Sequence, residues 1–556
     1  MAKKLSDLSR RRVLASGVAA SAAAFAGCIG GNGDDDGDDE ILDPEDYDYD
    51  REEPDDPDAV RDSSMIYTQE LERAEDFDPV VSNDAYSMQI AMLIYDGLYE
   101  YDYDLELQPK VAVDYPDVEN DGTRYLYEIH DGIEFHDGTE LTASDVAHSF
   151  RAPVEEETPN ISSYDMIDDI EVIDDLQLQV DLQHPYGPWE TMSQAVEIVP
   201  EDTRTDDREE FNTNPVGSGP FMWSDFEYNE YVELERNDDY WDEPEPLMEE
   251  IRFEDNVDDP GRVSDVLSGG TDAIGDIPND DWDNLEDDDD IRVHVSESPS
   301  VTYVYFNCNE GAGTAIPEVR RAIAHSFSMT DYVETYLNNS AMPIVTPTSP
   351  ISNELWDFPL DEWEEAYPEY DPDLAQELLD EHAPDDWNPT FLAPDDERAT
   401  LAERVASRLD EIGYDMEVQT RQFSQMLDET IYSDGDPDDY EAYIVGWTGG
   451  PDPDYYLYPN FHESQESTNQ GHFYGGQGDF HDKILEARES ADQEEREQLY
   501  IELIDEVIEQ LPALPAYTEH NSMATAEYVK DMHVHPQMQY NPNIVSDGSN
   551  VWVDDD

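Results

Sequence analysis

Lysine is almost missing from this chain: in 556 residues it occurs only at Lys3, Lys4, Lys110, Lys483 and Lys530, and Lys and Arg together number 27 against 141 Asp and Glu. The formal net charge is −114, where a small soluble domain carries a magnitude of about 2 to 8. Without basic surface, nucleic acid is excluded as a partner, because phosphate contacts need Lys and Arg. Like charges at this density repel one another and oppose the compact state in dilute buffer. The fold is therefore expected to depend on screening by concentrated salt, as in an extreme halophile, with the acids forming a solvated surface.

Cysteine is equally scarce, with only Cys28 and Cys308, so neither a disulfide framework nor a cysteine metal site is expected. No apolar run is long enough for a comfortable membrane span of about 20 residues. The longest near the start, Val13 to Phe25, follows a basic segment and fits an export signal. Within it, "SRRRVL" resembles the twin-arginine signal pattern, with Arg10 and Arg11 as the pair, and "FAGC" resembles a lipobox that leaves Cys28 as the lipid-bearing N-terminus. Residues 1–27 are thus read as the signal. Residues 28–61, rich in Gly, Pro and Asp and without apolar period, are read as a flexible acidic tether. The run "DDDGDDE" lacks the closing Glu of an EF-hand loop.

What is present is a folded body long enough for two or three domains, in which apolar periods recur although the hydrophobic fraction is only 38%. "YLYEIHDGIEF" reads as a hairpin bending at Asp131-Gly132, and "IEVIDDLQLQVDLQ" as one turning at Asp174-Asp175. "LTASDVAHSF" opens with a capping-box pattern at Thr142 and Asp145, and "YDPDLAQELLDEH" places Pro372 just after a cap at Asp371. "RATLAERVASRLDEIGYDMEVQT" is an amphipathic helix stopped at Gly413 and followed by a strand, which points to an α/β fold. Two charged helices are expected between Phe480 and Gln510.

Several ordered segments carry a resemblance. "YEIHDGIEFHDGTELTASDVAHSF", "PVGSGPFMWSDFEYNEYVELERNDDYWDEPEP", "VYFNCNEGAGTAIPEVRRAIAHSFSMTDYVE" and "YIVGWTGGPDPDYYLY" are similar to successive signatures of the family 5 extracellular solute-binding proteins, the dipeptide and oligopeptide-binding components of ABC importers. Ser218 stands where that family usually has Thr. The resemblance runs from about Ser63 to Pro536.

It implies a two-lobed, periplasmic-binding-protein-like type II fold with an inserted accessory domain and a hinge between lobes. Residues 62–96, 199–299 and 520–556 would form the first lobe, 97–198 the accessory domain and 300–519 the second lobe. The implied function is capture of a peptide or similar solute and delivery to membrane permease subunits, by an anchored monomer on the outer face of the cytoplasmic membrane. Ser82 and Asn83 fall where relatives place an edge segment that meets an extended ligand. Trp447, Tyr455 and Tyr517 are candidate aromatic walls.

Peptide-binding relatives place an amine-binding Asp three residues after the matching Trp. Here Gly450 holds that position, and Asp452 or Asp454 is expected to substitute as the contact to a ligand cation; without such a contact, sugars and opines stay open. No cofactor is expected. The H-D-G triplets at His130 and His136 read as turns and not as metal ligands. The absence of a G-x-S-x-G elbow or an H-E-x-x-H helix argues against a hydrolase. A sensory binding protein of the same fold is the alternative.

Overall fold

The computed structural model describes residues 44–47, 51–71, 76–82, 84–191, 194–337, 340–385, 387–465, 471–473 and 478–554. The export signal with Arg10 and Arg11, the lipid candidate Cys28, the "DDDGDDE" run, much of the tether and Asn83 lie outside the described residues. All that follows concerns the unit beginning at Ile41.

Two mixed sheets carry most of the core. The first has seven strands in the order Ile291–Ser296, Asn521–Ala526, Ala273–Gly275, Ser64–Gln69, Glu250–Asp255, Tyr231–Arg236, Phe221–Glu227. Its central strand, Ser64–Gln69, pairs in parallel with both neighbours. Met65, Tyr67, Ile251 and Phe253 share one face and pack with Ile90 and Ile94 of the helix Ala85–Ile94. Asp84 caps that helix by accepting the Ser87 amide.

The second sheet has six strands in the order Ala341–Pro343, Ala513–Glu519, Val301–Phe306, Ala442–Trp447, Thr390–Pro394, Glu417–Arg421. Val301–Phe306 is buried at every position because helices cover both faces, which is why "VTYVYF" shows no polar alternation. Tyr303 and Tyr305 meet the helices Phe480–Glu489 and Gln493–Gln510 on one side. Val304 and Phe306 meet Pro317–His325 and Ala399–Glu411 on the other.

A third, four-stranded antiparallel sheet runs Asp117–Glu119, Arg124–Glu128, Gln177–Leu182, Ile167–Asp174 and packs on the helix Ala143–Glu155. The hairpin turning at Asp174-Asp175 forms as expected, and so does the capping box, in which Asp145 Oδ2 accepts the Thr142 amide at 2.8 Å. The hairpin expected at Asp131-Gly132 does not. Arg124–Glu128 pairs instead with Gln177–Leu182, while Gly132 at φ +83° turns the chain away. The local turn signal was real, but the strand's partner lies some fifty residues away in sequence.

The chain passes between the two large sheets only twice: from Ser296 to Val301, and from Glu519 to Asn521. A few of the scarce cations lie inside the fold. Arg204, Arg262, Arg320 and Arg496 are all buried. Arg204 lies between Asp78 at 2.7 Å and Glu156 at 2.8 Å.

Candidate functional site

The strand Ala442–Trp447 ends in the turn "TGGPDP" and restarts as the helix Asp454–Phe461. The turn is held from within. The Trp447 indole donates to the Tyr455 carbonyl at 2.7 Å. The Tyr456 hydroxyl lies 2.7 Å from the Pro299 carbonyl and 3.1 Å from that of Gly450. Gly449 has no alternative, because a Cβ there would enter the Tyr456 ring. Gly450 is buried, and its carbonyl faces that hydroxyl.

The two aspartates that follow turn inward. Asp452 is fully buried, and its two oxygens accept from Arg496 Nη2 at 2.8 and 2.9 Å. It also accepts the Asp454 amide at 3.0 Å and the Thr191 hydroxyl at 2.8 Å. Asp454 pairs with Arg488, whose guanidinium lies 3.9 Å over Tyr458 and 4.7 Å over Tyr186. Burial is the main reason that the Asp454 carboxyl is raised to about 6 despite that arginine.

This corrects the expectation that Asp452 or Asp454 meets a ligand cation. Asp452 serves the buried Arg496 of the helix Gln493–Gln510 and Asp454 the partly buried Arg488 of the helix Phe480–Glu489, which need a counter-charge more than a ligand does. The cluster also grips the segment 186–191: Tyr186 lies under Arg488, Gly187 packs so closely that a Cβ would strike the Arg496 guanidinium, and Thr191 donates to Asp452.

Tyr455 is half-buried beside the core of the second sheet. Its hydroxyl lies within electrostatic reach of Tyr164 and Tyr101. Tyr101 meets Tyr540 edge-on at 6.2 Å between centroids. Tyr540 and Tyr164 each feel the charge of Glu197. Glu197, Tyr164, Tyr455 and Tyr540 keep partial solvent access although desolvation dominates each of their titrations. Burial lifts Glu197 to about 7 and Tyr455 to about 12. These residues come from three parts of the chain: Tyr101, Tyr164 and Glu197 border the four-stranded sheet, Tyr455 belongs to the second large sheet's side, and Tyr540 to the C-terminal segment.

On the first sheet, the buried Gln69 amide has no partner at either Nε2 or Oε1. It borders a water-sized void of about 10 Å³ lined by Tyr67, Tyr86, Gln89, Arg262 and Asp276. Gln89 donates to the Met538 carbonyl at 3.2 Å, two residues before Tyr540. At the second crossing Glu519 is solvent-accessible, yet desolvation, and next the charge of Glu397, lift it to about 7. Asp276 from the first sheet reaches it electrostatically, and so does Arg398 from the second sheet's side.

The remaining sequence candidates fall elsewhere. The Ser82 amide donates to the Asp78 carbonyl at 2.9 Å and its carbonyl accepts from Asn160 at 2.8 Å, so the main-chain pairing with a ligand expected there is already used internally. Tyr517 is fully buried and packs against Tyr332 at 6.3 Å in the core, because its strand is covered by helices, so it is not a ligand wall. His136 is scaffold, with Nε2 3.0 Å from the Gly219 carbonyl and Nδ1 accepting the Gly217 amide at 3.3 Å. Among the described residues no group of three or more His, Cys, Asp or Glu is placed to hold a metal. Glu197, Tyr101, Tyr164, Tyr540 and Gln69 were not singled out by sequence; the signal available was an acid at position 197 inside the apolar run "AVEIV".

Residues 106–468 match the family model described as bacterial extracellular solute-binding proteins, family 5 middle. The chain is similar to the oligopeptide-binding protein AppA of Bacillus subtilis, at 24% identity over 487 residues, 83% of this chain and 87% of that protein. Its fold is similar to that of DppA from Helicobacter pylori, solved in complex with the peptide STSA, at 22% identity and TM-score 0.72, covering 89% of this chain and 99% of that one. It is also similar to the substrate-binding protein CtaP from Listeria monocytogenes, at 18% identity and TM-score 0.77, again covering 89% and 99%. The two-lobed type II architecture is common to these structures and this chain.

Proposed function

This chain belongs to the bacterial extracellular solute-binding proteins of family 5, and from that premise we propose that it is the receptor of an ABC importer that encloses a peptide or similar small solute between its two lobes and hands it to membrane permease subunits. The family consists of solute-binding receptors and not enzymes, and the reading assigns no bond-breaking step to this chain.

The observation that carries the proposal is the architecture of the joint. Two large sheets connected only at 297–300 and 520 are built to rotate about those crossings. Closure around a solute removes water from its contacts and strengthens them. In this proposal residues 62–96, 199–299 and 520–556 form the first lobe, 97–198 an accessory domain and 300–519 the second lobe.

Peptide as the solute class is supported by the relatives that bind peptides. Export through the twin-arginine signal and anchoring by a lipid on Cys28, as a monomer on the outer face of the membrane, complete the proposal. Uptake of radiolabelled peptides by a strain lacking the gene tests it: uptake should collapse and return with the wild-type gene. Normal uptake in that strain would remove the importer role.

A further inference from the structure

We infer that the solute carries a primary carboxamide, which docks against the side-chain amide of Gln69 on the first sheet. This deepens the receptor reading and rests on it. Gln69 is 4% exposed, and among the described residues neither its Nε2 nor its Oε1 has a hydrogen-bond partner. Gln89, also 4% exposed, lines the same void. Its Nε2 is committed to the Met538 carbonyl, and its Oε1 has no partner either. A donor nitrogen and two acceptor oxygens thus border one small space, and each is costly to bury until something answers it.

The place in the fold suits a ligand. Gln69 ends the strand Ser64–Gln69, whose parallel neighbours end at Asp255 and Gly275. Sheets of this kind receive ligands outside the carboxyl ends of their parallel strands. Asp276 is exposed, and Glu70 and Tyr86 are half-buried, so the void opens outward. The Asp276 amide donates to the Ser522 carbonyl at 3.0 Å, two residues beyond the crossing at 520.

The unanswered atoms select among ligand groups. An ammonium only donates, so it would leave Gln69 Nε2 unanswered and lie beside the Arg262 guanidinium. A carboxylate only accepts, so it would face two Oε1 atoms beside Glu70 and Asp276. Arg262 does not offset those acids for a ligand, since it lies 3.6 Å from Glu70 and 2.7 Å from Asp259. A carboxamide both accepts and donates. Its oxygen accepts from Gln69 Nε2, one N–H donates to Gln69 Oε1, and the other N–H is left for Gln89 Oε1. Turning the Gln69 amide over exchanges its two roles and leaves the match unchanged. At about 10 Å³ the void takes the tip of such a side chain and not the body of a solute.

The test uses the full chain in molar KCl with alanine tetrapeptides carrying one Gln at each position in turn, and with the same peptides carrying Met or Glu in its place. Affinities are read by calorimetry and native mass spectrometry. At one position the Gln peptide should bind the wild type about tenfold or more tightly than its Met and Glu counterparts. Gln69→Met should bring that Gln peptide to within about twofold of the Met peptide, and Gln89→Met should reduce the preference about threefold.

Gln69→Met replaces unanswered polar atoms with apolar ones of similar shape, so it should fold at least as stably as the wild type. If it does not fold, the wild-type comparison and Gln89→Met decide instead. A preference that survives in Gln69→Met, or no binding of any peptide, would overturn the inference. Peptide binding without preference for Gln at any position would overturn it while leaving the receptor reading intact. Loss of the receptor reading would instead appear as normal uptake in the deletion strain.

Discussion

Replacing Asp452 with Asn keeps the shape of the side chain and removes its charge. Arg496, only 2% exposed, is then left with a buried guanidinium whose two short contacts to Asp452, at 2.8 and 2.9 Å, have lost their ionic partner. Breaking one side of a buried pair costs about 3–5 kcal/mol, because the desolvated partner stays uncompensated. Removing only the Thr191 hydroxyl, by Thr191→Val, takes away one hydrogen bond to a charged acceptor and should cost about 1.5–3 kcal/mol.

Urea unfolding followed by tryptophan fluorescence in molar KCl measures both changes. Trp356 lies 5.0 Å from the Arg496 guanidinium and reports locally. The cost of Asp452→Asn should barely change between low-molar and saturating salt, since a buried pair is poorly screened. A loss below about 1 kcal/mol, or one that vanishes with added salt, would refute the picture of a buried, mutually dependent pair.

Further outcomes follow from the same structure. Dialysis from molar to millimolar salt should unfold the chain cooperatively, because 114 uncompensated negative charges lose their screening; an unchanged far-UV circular dichroism spectrum would contradict this. Gly449→Ala should lower stability by about 1–3 kcal/mol through overpacking against Tyr456, and a neutral result in urea unfolding would show that the turn yields. His535 is held neutral, with Nδ1 accepting the Gln537 amide at 3.0 Å and burial lowering it to about 4. The unfolded state therefore binds the extra proton, and stability falls as pH drops below about 6.5. The stability gap between wild type and His535→Gln should accordingly narrow between pH 7 and 4.5, and a constant gap would argue against a neutral His535. Cys28→Ala should release the protein from the membrane fraction into the medium, whereas retention would exclude lipid at that residue.

Much of the fold was legible because its signals are local. The Thr142 capping box, the Pro372 start after Asp371 and the Gly413 stop each depend on residues within one turn, and each formed where expected. The Asp131-Gly132 turn misled because pairing of Arg124–Glu128 is decided by distant strands. At the site, the "GWTGGPDPDYY" turn announced itself by composition. The fate of Asp452 and Asp454 was illegible, since it depends on Arg488 and Arg496 more than thirty residues on. Glu197 was hidden for a related reason: the tyrosines that feel its charge, Tyr164 and Tyr540, come from distant parts of the chain.

The inward placement of arginine sets up a division of labour. With so few cations available, those at Arg204, Arg262, Arg320 and Arg496 are shielded from bulk ions, while the outer shell is left almost wholly anionic. Salt can then act on the shell as a broad, adjustable pressure toward compactness without loosening the internal clamps. A receptor arranged this way can keep one affinity for its solute while the brine around it concentrates or dilutes, up to the point where the shell itself gives way.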